Sequence, residues 1–436
     1  MDDIESFCGA SEIWDETLLS NNTFPEFTDC FQNTILVWIP CGFLWITAPC
    51  YLYALVSYKG SPRQHSFLNI AKTFISGILF ILTIVDIFKA ISDHRANPTP
   101  IAVYLAAAIK LLSYFLTICE IQLERIRGFV TSGILFIFWF TSLIASVIPF
   151  YTLIIKEVYS DDILRFSLFF LYFILLLSQF ILHCIAEEVS ESSSGKYNIG
   201  VKPCLEVQAS FLSRITYWWM NGLIITGYKK DLEETDIADL HPRDKSDQVV
   251  PNFEKVWKKE LKKHAVRDIK PASTTPVPSA STSAKQRKMQ RQDKIQRKHH
   301  FWEMRMRLNA LIGYTNKRYA GHPVSEWQGY ILAAGFFVVA IFQSTFFHQN
   351  FHISMTTGMR ARSALIAAVF KKSLTMNNEA KKSSTVGEIV NLMSVDCQRF
   401  QDVAGQLWMI WSAPLQIILA TVLLWQQLGP SVLAGT

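Results

Sequence analysis

The chain has 436 residues, half of them apolar, with 42 Lys and Arg against 36 Asp and Glu. The formal charge of +6 averages over very unequal parts, because charge is nearly missing from long stretches and crowded into others. That pattern excludes a disordered chain, which lacks apolar residues, and an ordinary soluble domain, whose core rarely supplies more than one run long enough to cross a bilayer.

Residues 1–30 carry Asp2, Asp3, Glu5, Glu12, Asp15, Glu16, Glu26 and Asp29 with no Lys or Arg. A polar, acidic lead without a basic n-region is not a removable signal peptide. Lys and Arg mark the cytosolic side of a span, so this segment is expected outside as an extracellular tail. It also holds a glycosylation sequon at Asn21, with Asn22 and Thr23 following. Cys8 and Cys30 are its only cysteines, and an oxidising exterior allows them to bridge. Closing a loop of about 20 residues stabilises by roughly 3 kcal/mol in the chain-entropy account.

Five apolar stretches follow, at residues 31–58, 70–90, 101–119, 129–155 and 166–186. A helix needs roughly 20 mostly apolar residues to cross a bilayer, since every backbone N–H and C=O must be bonded internally there. Residues 31–186 are therefore expected to form a five-span N-terminal domain that leaves residue 187 in the cytosol. Lys59, Arg63, Arg125 and Arg127 then fall inside, whereas Lys89, Arg95, Lys156 and Arg165 fall outside, so the orientation rests mainly on the acidic tail. Cys41, Cys50, Cys119 and Cys184 lie in spans and read as small packing residues. No His/Cys cluster has metal-ligand spacing, so no metal site is expected. Lys110 lies mid-span, and Asp86 near the end of its own span. They read as a helix–helix ion pair or a snorkelling lysine in preference to a relay or substrate contact.

Residues 187–247 form a cytosolic linker. A Ser-rich tether gives way to residues 204–230, where Phe211, Leu212, Ile215, Trp218, Trp219, Leu223 and Ile224 recur near helical spacing beside Arg214. This is an amphipathic helix suited to the headgroup boundary, too short and polar to span. A helix packed on other protein has the same periodicity. Residues 231–247 are acidic and 252–263 are a charged helix candidate within a basic linker, 248–326. Residues 271–284 are too rich in Pro, Ser and Thr to fold. The basic run 285–300 suits solvent or anionic lipid, and without aromatic interleaving or a reader motif no nucleic-acid partner is expected.

Two further apolar stretches, 327–353 and 407–428, flank a region that reads as two long helices joined by a turn. Residues 359–375 are amphipathic and basic, 376–384 small and polar, and 386–402 helical again. Ser384 or Thr385 with Glu388 makes a capping box. Membrane helices that run on into the cytosol and turn there form a lever that transmits force from a soluble partner.

At this point particular residues carry a resemblance. Residues 381–396, with Lys381, Lys382, Ser383, Ser384, Thr385, Gly387 and Glu388, resemble the first cytoplasmic loop of the multidrug-resistance-associated (C-subfamily) ABC transporters. Residues 410–416 and 428–435 continue the match. The run 210–219, with Phe211, Arg214, Trp218 and Trp219, is similar to the family's membrane-hugging linker. The resemblance implies an all-α polytopic membrane protein: an N-terminal five-helix domain and, at 327–436, part of an ABC transporter transmembrane domain. It implies ATP-driven export of amphipathic organic anions, including glutathione and glucuronide conjugates, with the bilayer, the substrate and nucleotide-binding domains as partners. ATP and Mg would be cofactors of a full-length member and none of these residues alone. Phe347 and Phe351, four apart and so on one face, would line the substrate path with Trp411, and Gln406 stands where relatives often have Tyr. The turn from Asn377 to Glu388 would couple to a nucleotide-binding domain. A plasma-membrane location is implied too.

Two departures stand out. No Gly-x-x-x-x-Gly-Lys-Ser/Thr loop occurs, so nothing cradles ATP phosphates and no ATPase activity is expected of these residues alone. The family also has a span before Trp327. Here residues 301–323 contain Glu303, Arg305, Arg307, Lys317 and Arg318 and cannot cross a bilayer, although Leu308 to Tyr314 look like that span's tail. The chain thus reads as an N-terminal fragment or short isoform, not transport-competent alone, in which residues 327–353 would insert against their parity. Two other classes are a non-transporting scaffold or trafficking module and a seven-helix receptor. The lever between the last two apolar stretches has no receptor counterpart.

Overall fold

The computed structural model describes residues 7–9, 27–58, 62–94, 99–187, 204–267, 312–316, 318–320, 326–377 and 385–428. The chain divides into two compact units, Met1–Asp239 with Ala310–Ala334, and Leu240–Asn309 with Gly335–Thr436. The described residues are helical, without strands.

The first unit is built on five long helices: α1 (Ile35–Ser57), α2 (Phe67–His94), α3 (Ile101–Arg127), α4 (Gly133–Ile155) and α5 (Ile163–Cys184). Each is long and apolar enough to cross a membrane. Short loops join them, so neighbours run antiparallel. Each turns one stripe to a shared core: Leu44 from α1, Leu79 from α2, Tyr114 from α3, Trp139 from α4 and Leu176 from α5. Tyr114 and Trp139 stack there, ring centroids 5.9 Å apart. The outward faces are apolar as well, with Ile46 and Phe74 exposed, which suits lipid and not water. Lipid gives helices no hydrophobic reason to associate, so small and polar residues hold them together. Trp45 Nε1 donates to Ser113 Oγ at 2.9 Å. Gln179 Nε2 donates to Ser76 Oγ at 2.8 Å.

Helix ends differ from the apolar stretches where polar residues extend them. The third runs on to Arg127 and stops at Gly128, whose φ of 78° is the left-handed cap conformation glycine takes without strain. The first begins after a one-turn helix, Asp29–Asn33, capped by Thr28. Lys110 and Asp86 form no ion pair. The Lys110 ammonium instead sits over the Tyr172 ring, 5.4 Å from its centroid.

The linker is not one amphipathic helix. It breaks into α6 (Leu205–Gln208), α7 (Phe211–Thr216) and α8 (Asn221–Lys229), with a 3-10 turn at Trp218–Met220. Ser210 caps α7 by accepting the Ser213 N–H at 3.3 Å. Tyr217, in the left-handed region at φ 58°, ends it. Periodicity registers neither event.

The second unit holds α9 (Ser246–Arg267), the rest of α10 (Glu326–Leu374), α11 (Val386–Asn391) and α12 (Cys397–Leu428). The expected membrane stretch and basic helix are one 49-residue element, α10. At about 1.5 Å per residue it is roughly 73 Å long, against a hydrocarbon core of about 30 Å. A π-helical segment, Leu392–Asp396, joins α11 to α12. The seventh apolar stretch lies within α12.

Candidate functional site

The hairpin of α10 and α12 is built around a close approach. A Cβ on Gly358 would lie 2.9 Å from the Gln401 carbonyl oxygen and 3.0 Å from Ala404 Cβ, so glycine alone lets these backbones meet. Arg362 Nη1 donates to Gln401 Oε1 beside it at 3.4 Å. About two and three turns further out, α10 presents Phe351 and Phe347, both half-exposed, and the Phe347 ring meets His348 edge-on at 5.9 Å. Gln406 is exposed on α12. Trp411 lies about two turns beyond the crossing, level with Phe351 by register, though its side chain is outside the described residues.

At the other end, Thr385 caps α11. Its Oγ1 accepts the Glu388 N–H at 3.2 Å and its own N–H donates to Glu388 Oε2 at 3.0 Å, so Thr385 and not Ser384 is the cap. Asn377 is exposed where α10 ends, and Gly387 lies in the first turn of α11. Lys381, Lys382, Ser383 and Ser384 lie outside the described residues.

Two ion pairs in this unit escaped sequence reasoning. Asp244 accepts from Arg360, and Glu254 from Lys371, so the linker neutralises the basic face of α10. The Lys371 ammonium holds the Glu254 carboxyl below its ordinary range. Asp244 lies in the acidic run 231–247, which was the available signal for its pair, whereas Glu254 lies in the basic linker and nothing local singles it out.

In the first unit, Phe211 packs where α4 begins, 5.4 Å from the Phe136 ring. A Cβ on Gly133 would lie 2.5 Å from Phe211 Cε2. The Phe211 N–H donates to Thr131 Oγ1 at 3.0 Å. Arg214 donates to the Glu206 and Val207 carbonyls at 2.9 and 2.8 Å, tying α7 to α6. Trp219 is partly buried, whereas Trp218, Ile224, Ile225 and Tyr228 are exposed, an apolar edge of the kind that lies at a membrane surface.

Glu187 was also missed. Its carboxylate meets Arg63 at 3.0 Å and Lys72 at 3.3 Å, all three nearly buried. Arg63 donates in turn to the carbonyl of Phe129, and its N–H to that of Arg125 at 3.1 Å. Three chain segments are knotted together where α5 leaves the bundle. Cys8 and Cys30 are joined by a disulfide, Cα atoms 5.2 Å apart, while Asn21 lies outside the described residues.

Residues 5–181 match the ABC transporter TMD0 domain, and residues 307–436 the ABC transporter transmembrane region. The chain is therefore a multi-pass membrane protein of the ABC transporter class. It is similar to ATP-binding cassette sub-family C member 3 of Mus musculus, 34% identical over 458 aligned positions, and of Homo sapiens, 33% identical. ATP-binding cassette sub-family C member 2 of Homo sapiens is 30% identical. Each alignment covers 99% of this chain and 30% of the relative, so the chain spans under a third of the length of these proteins. Within the ABC transporters it belongs to the multidrug-resistance-associated proteins, subfamily C.

Proposed function

We propose that these residues supply the N-terminal membrane domain, the linker and the first lever hairpin of an ATP-driven exporter of amphipathic organic anions. The observation that carries this is α10, which outruns a bilayer and turns back through the Thr385 cap into α12. A helix that only anchors has no use for that extra length, whereas one that receives force from a nucleotide-binding domain does. ATP and Mg would act on domains outside these residues, and the turn from Asn377 to Glu388 would meet them. Phe347 and Phe351, with Trp411 and Gln406, would face the substrate, and the protein would lie in the plasma membrane with its glycosylated tail outside.

We also propose that one span present in relatives is missing here. The alignment to the mouse relative runs over 458 positions, 22 more than this chain's 436 residues. The alignments to these relatives exceed the chain by 22 to 48 positions, enough for the roughly 20 residues of one span. We place the gap at residues 301–323 because they are too charged to cross.

The substrate path is tested in the full-length protein. Phe351→Ala should lower ATP-dependent uptake of a glutathione conjugate into inverted vesicles several-fold. Unchanged uptake would turn Phe351 toward lipid or packing.

A further inference from the structure

A cavity of about 490 Å³ opens inside the five-helix unit, at the end that carries the N-terminal segment. Small residues make the room. Ala106 and Ala107 on α3 and Ser142, Ala145 and Ser146 on α4 line it where larger side chains would have closed the bundle. Its size falls within the range of roughly 300–1,000 Å³ in which small molecules bind.

The charges on its walls are not balanced. Four cations, Lys89, Lys110, Lys156 and Arg165, face two carboxylates, Asp29 and Asp86. Two cations are already paired: Lys156 with Asp29 at 3.2 Å, and Lys89 with Asp162 at 2.7 Å. Lys110, Arg165 and Asp86 make no ion pair among the described residues, and neither cationic side chain donates a hydrogen bond there. Lys110 and Asp86 lie within spans without an ion pair, where unpaired charge is costly, and the exposed Arg165 where α5 begins adds a further positive charge to the wall. Snorkelling does not relieve the lysine. Lys110 lies about 13 Å along α3 at about 1.5 Å per residue, and its ammonium is held over Tyr172 within the cavity. The Tyr172 hydroxyl is in turn bonded to that of Tyr114, 2.9 Å away, so the aromatic floor under the cation is fixed.

We propose that this cavity binds a monoanionic amphiphile, its anionic group held between Lys110 and Arg165 and its apolar part against the small-residue wall of α3 and α4. A carboxylate or a phosphate diester meets the requirement, from a soluble molecule or from a lipid headgroup. The site lies wholly within the five-helix unit and does not depend on the reading of the hairpin.

The test is photolabelling of the full chain in phosphatidylcholine nanodiscs with decanoate carrying a diazirine. Label should fall on peptides of α3 and α4 that line the cavity, and excess decanoate should compete it away. Lys110→Met should cut labelling about tenfold, equivalent to about 1.4 kcal/mol, and Lys110→Arg should restore it. Arg165→Met, at an exposed position, carries the same test should Lys110→Met misfold. Phosphatidylglycerol in the disc that displaces the label would identify a lipid headgroup as the occupant. Label that survives it would identify a soluble amphiphile. Equal labelling of the charge-removed variants, or equal labelling by a quaternary-ammonium probe of the same length, would overturn the proposal.

Discussion

Glu187 shows what one side chain does for the first unit. With both Arg63 and Lys72 nearly buried against it, its removal leaves two cations facing each other away from water. Losing one member of a buried ion cluster costs about 3–5 kcal/mol. Glu187→Ala should therefore lower the apparent melting temperature of the purified protein by several degrees, while Ala at exposed Glu157 should not. Glu254 behaves differently, because its pair with the exposed Lys371 lies at the surface and is salt-screened. Its carboxyl titrates below the ordinary value of 4.5 because of Lys371. A lowered folded value means that the contact contributes fully above the free-carboxylate pKa and is lost as pH falls through the lowered one. Spin labels on α9 and α10 should give a narrow distance distribution at neutral pH that broadens in acid below that range. Glu254→Gln should be broad at both, and a distribution unmoved by acid would remove the pair from the account.

At the scale of elements, the linker is held by shape more than by periodicity. Phe211 fits where Gly133 offers no Cβ, and Thr131 accepts its N–H. Gly133→Ala puts a methyl group into the Phe211 ring and should release α7, seen as faster proteolysis around Arg214 with the five-helix unit still intact. Unchanged protection would mean that the ring shifts without leaving. The same sequence segment shows how far pattern reading reaches. The apolar residues of 204–230 announced helix, and left membrane contact and packing on protein equally open. The break at Tyr217 and the anchoring of Arg214 on Glu206 and Val207 depend on backbone carbonyls that hydrophobic spacing does not describe.

For the whole molecule, the parity of spans is the open quantity with the largest consequence. Counted from a cytosolic Glu187, the membrane part of α10 would run outward and carry the basic turn to the wrong side, against the positive-inside bias. Single cysteines placed at Ser192 and Lys381 should differ when intact cells meet an impermeant thiol reagent, with Lys381→Cys labelled and Ser192→Cys protected. Protection of both, in a long-lived protein, would mean that the second half inserts correctly despite the shorter sequence.

What the sequence determined by itself was whatever follows from local composition and period. Five spans, a long helix running on from the sixth apolar stretch and a capping box with Glu388 are each written within a few tens of residues, since backbone satisfaction in lipid and helical repeat are local demands. The choice of Thr385 over Ser384 as the cap was made in the structure. The pairing of Glu254 with Lys371 and of Glu187 with Lys72, 115 residues apart, was decided only when helix faces met. Lys110 shows the same limit. The sequence left it as an ion pair or a snorkelling lysine, but the approach of Tyr172 on α5 set the ammonium over that ring, facing a cavity that small residues on α3 and α4 had opened.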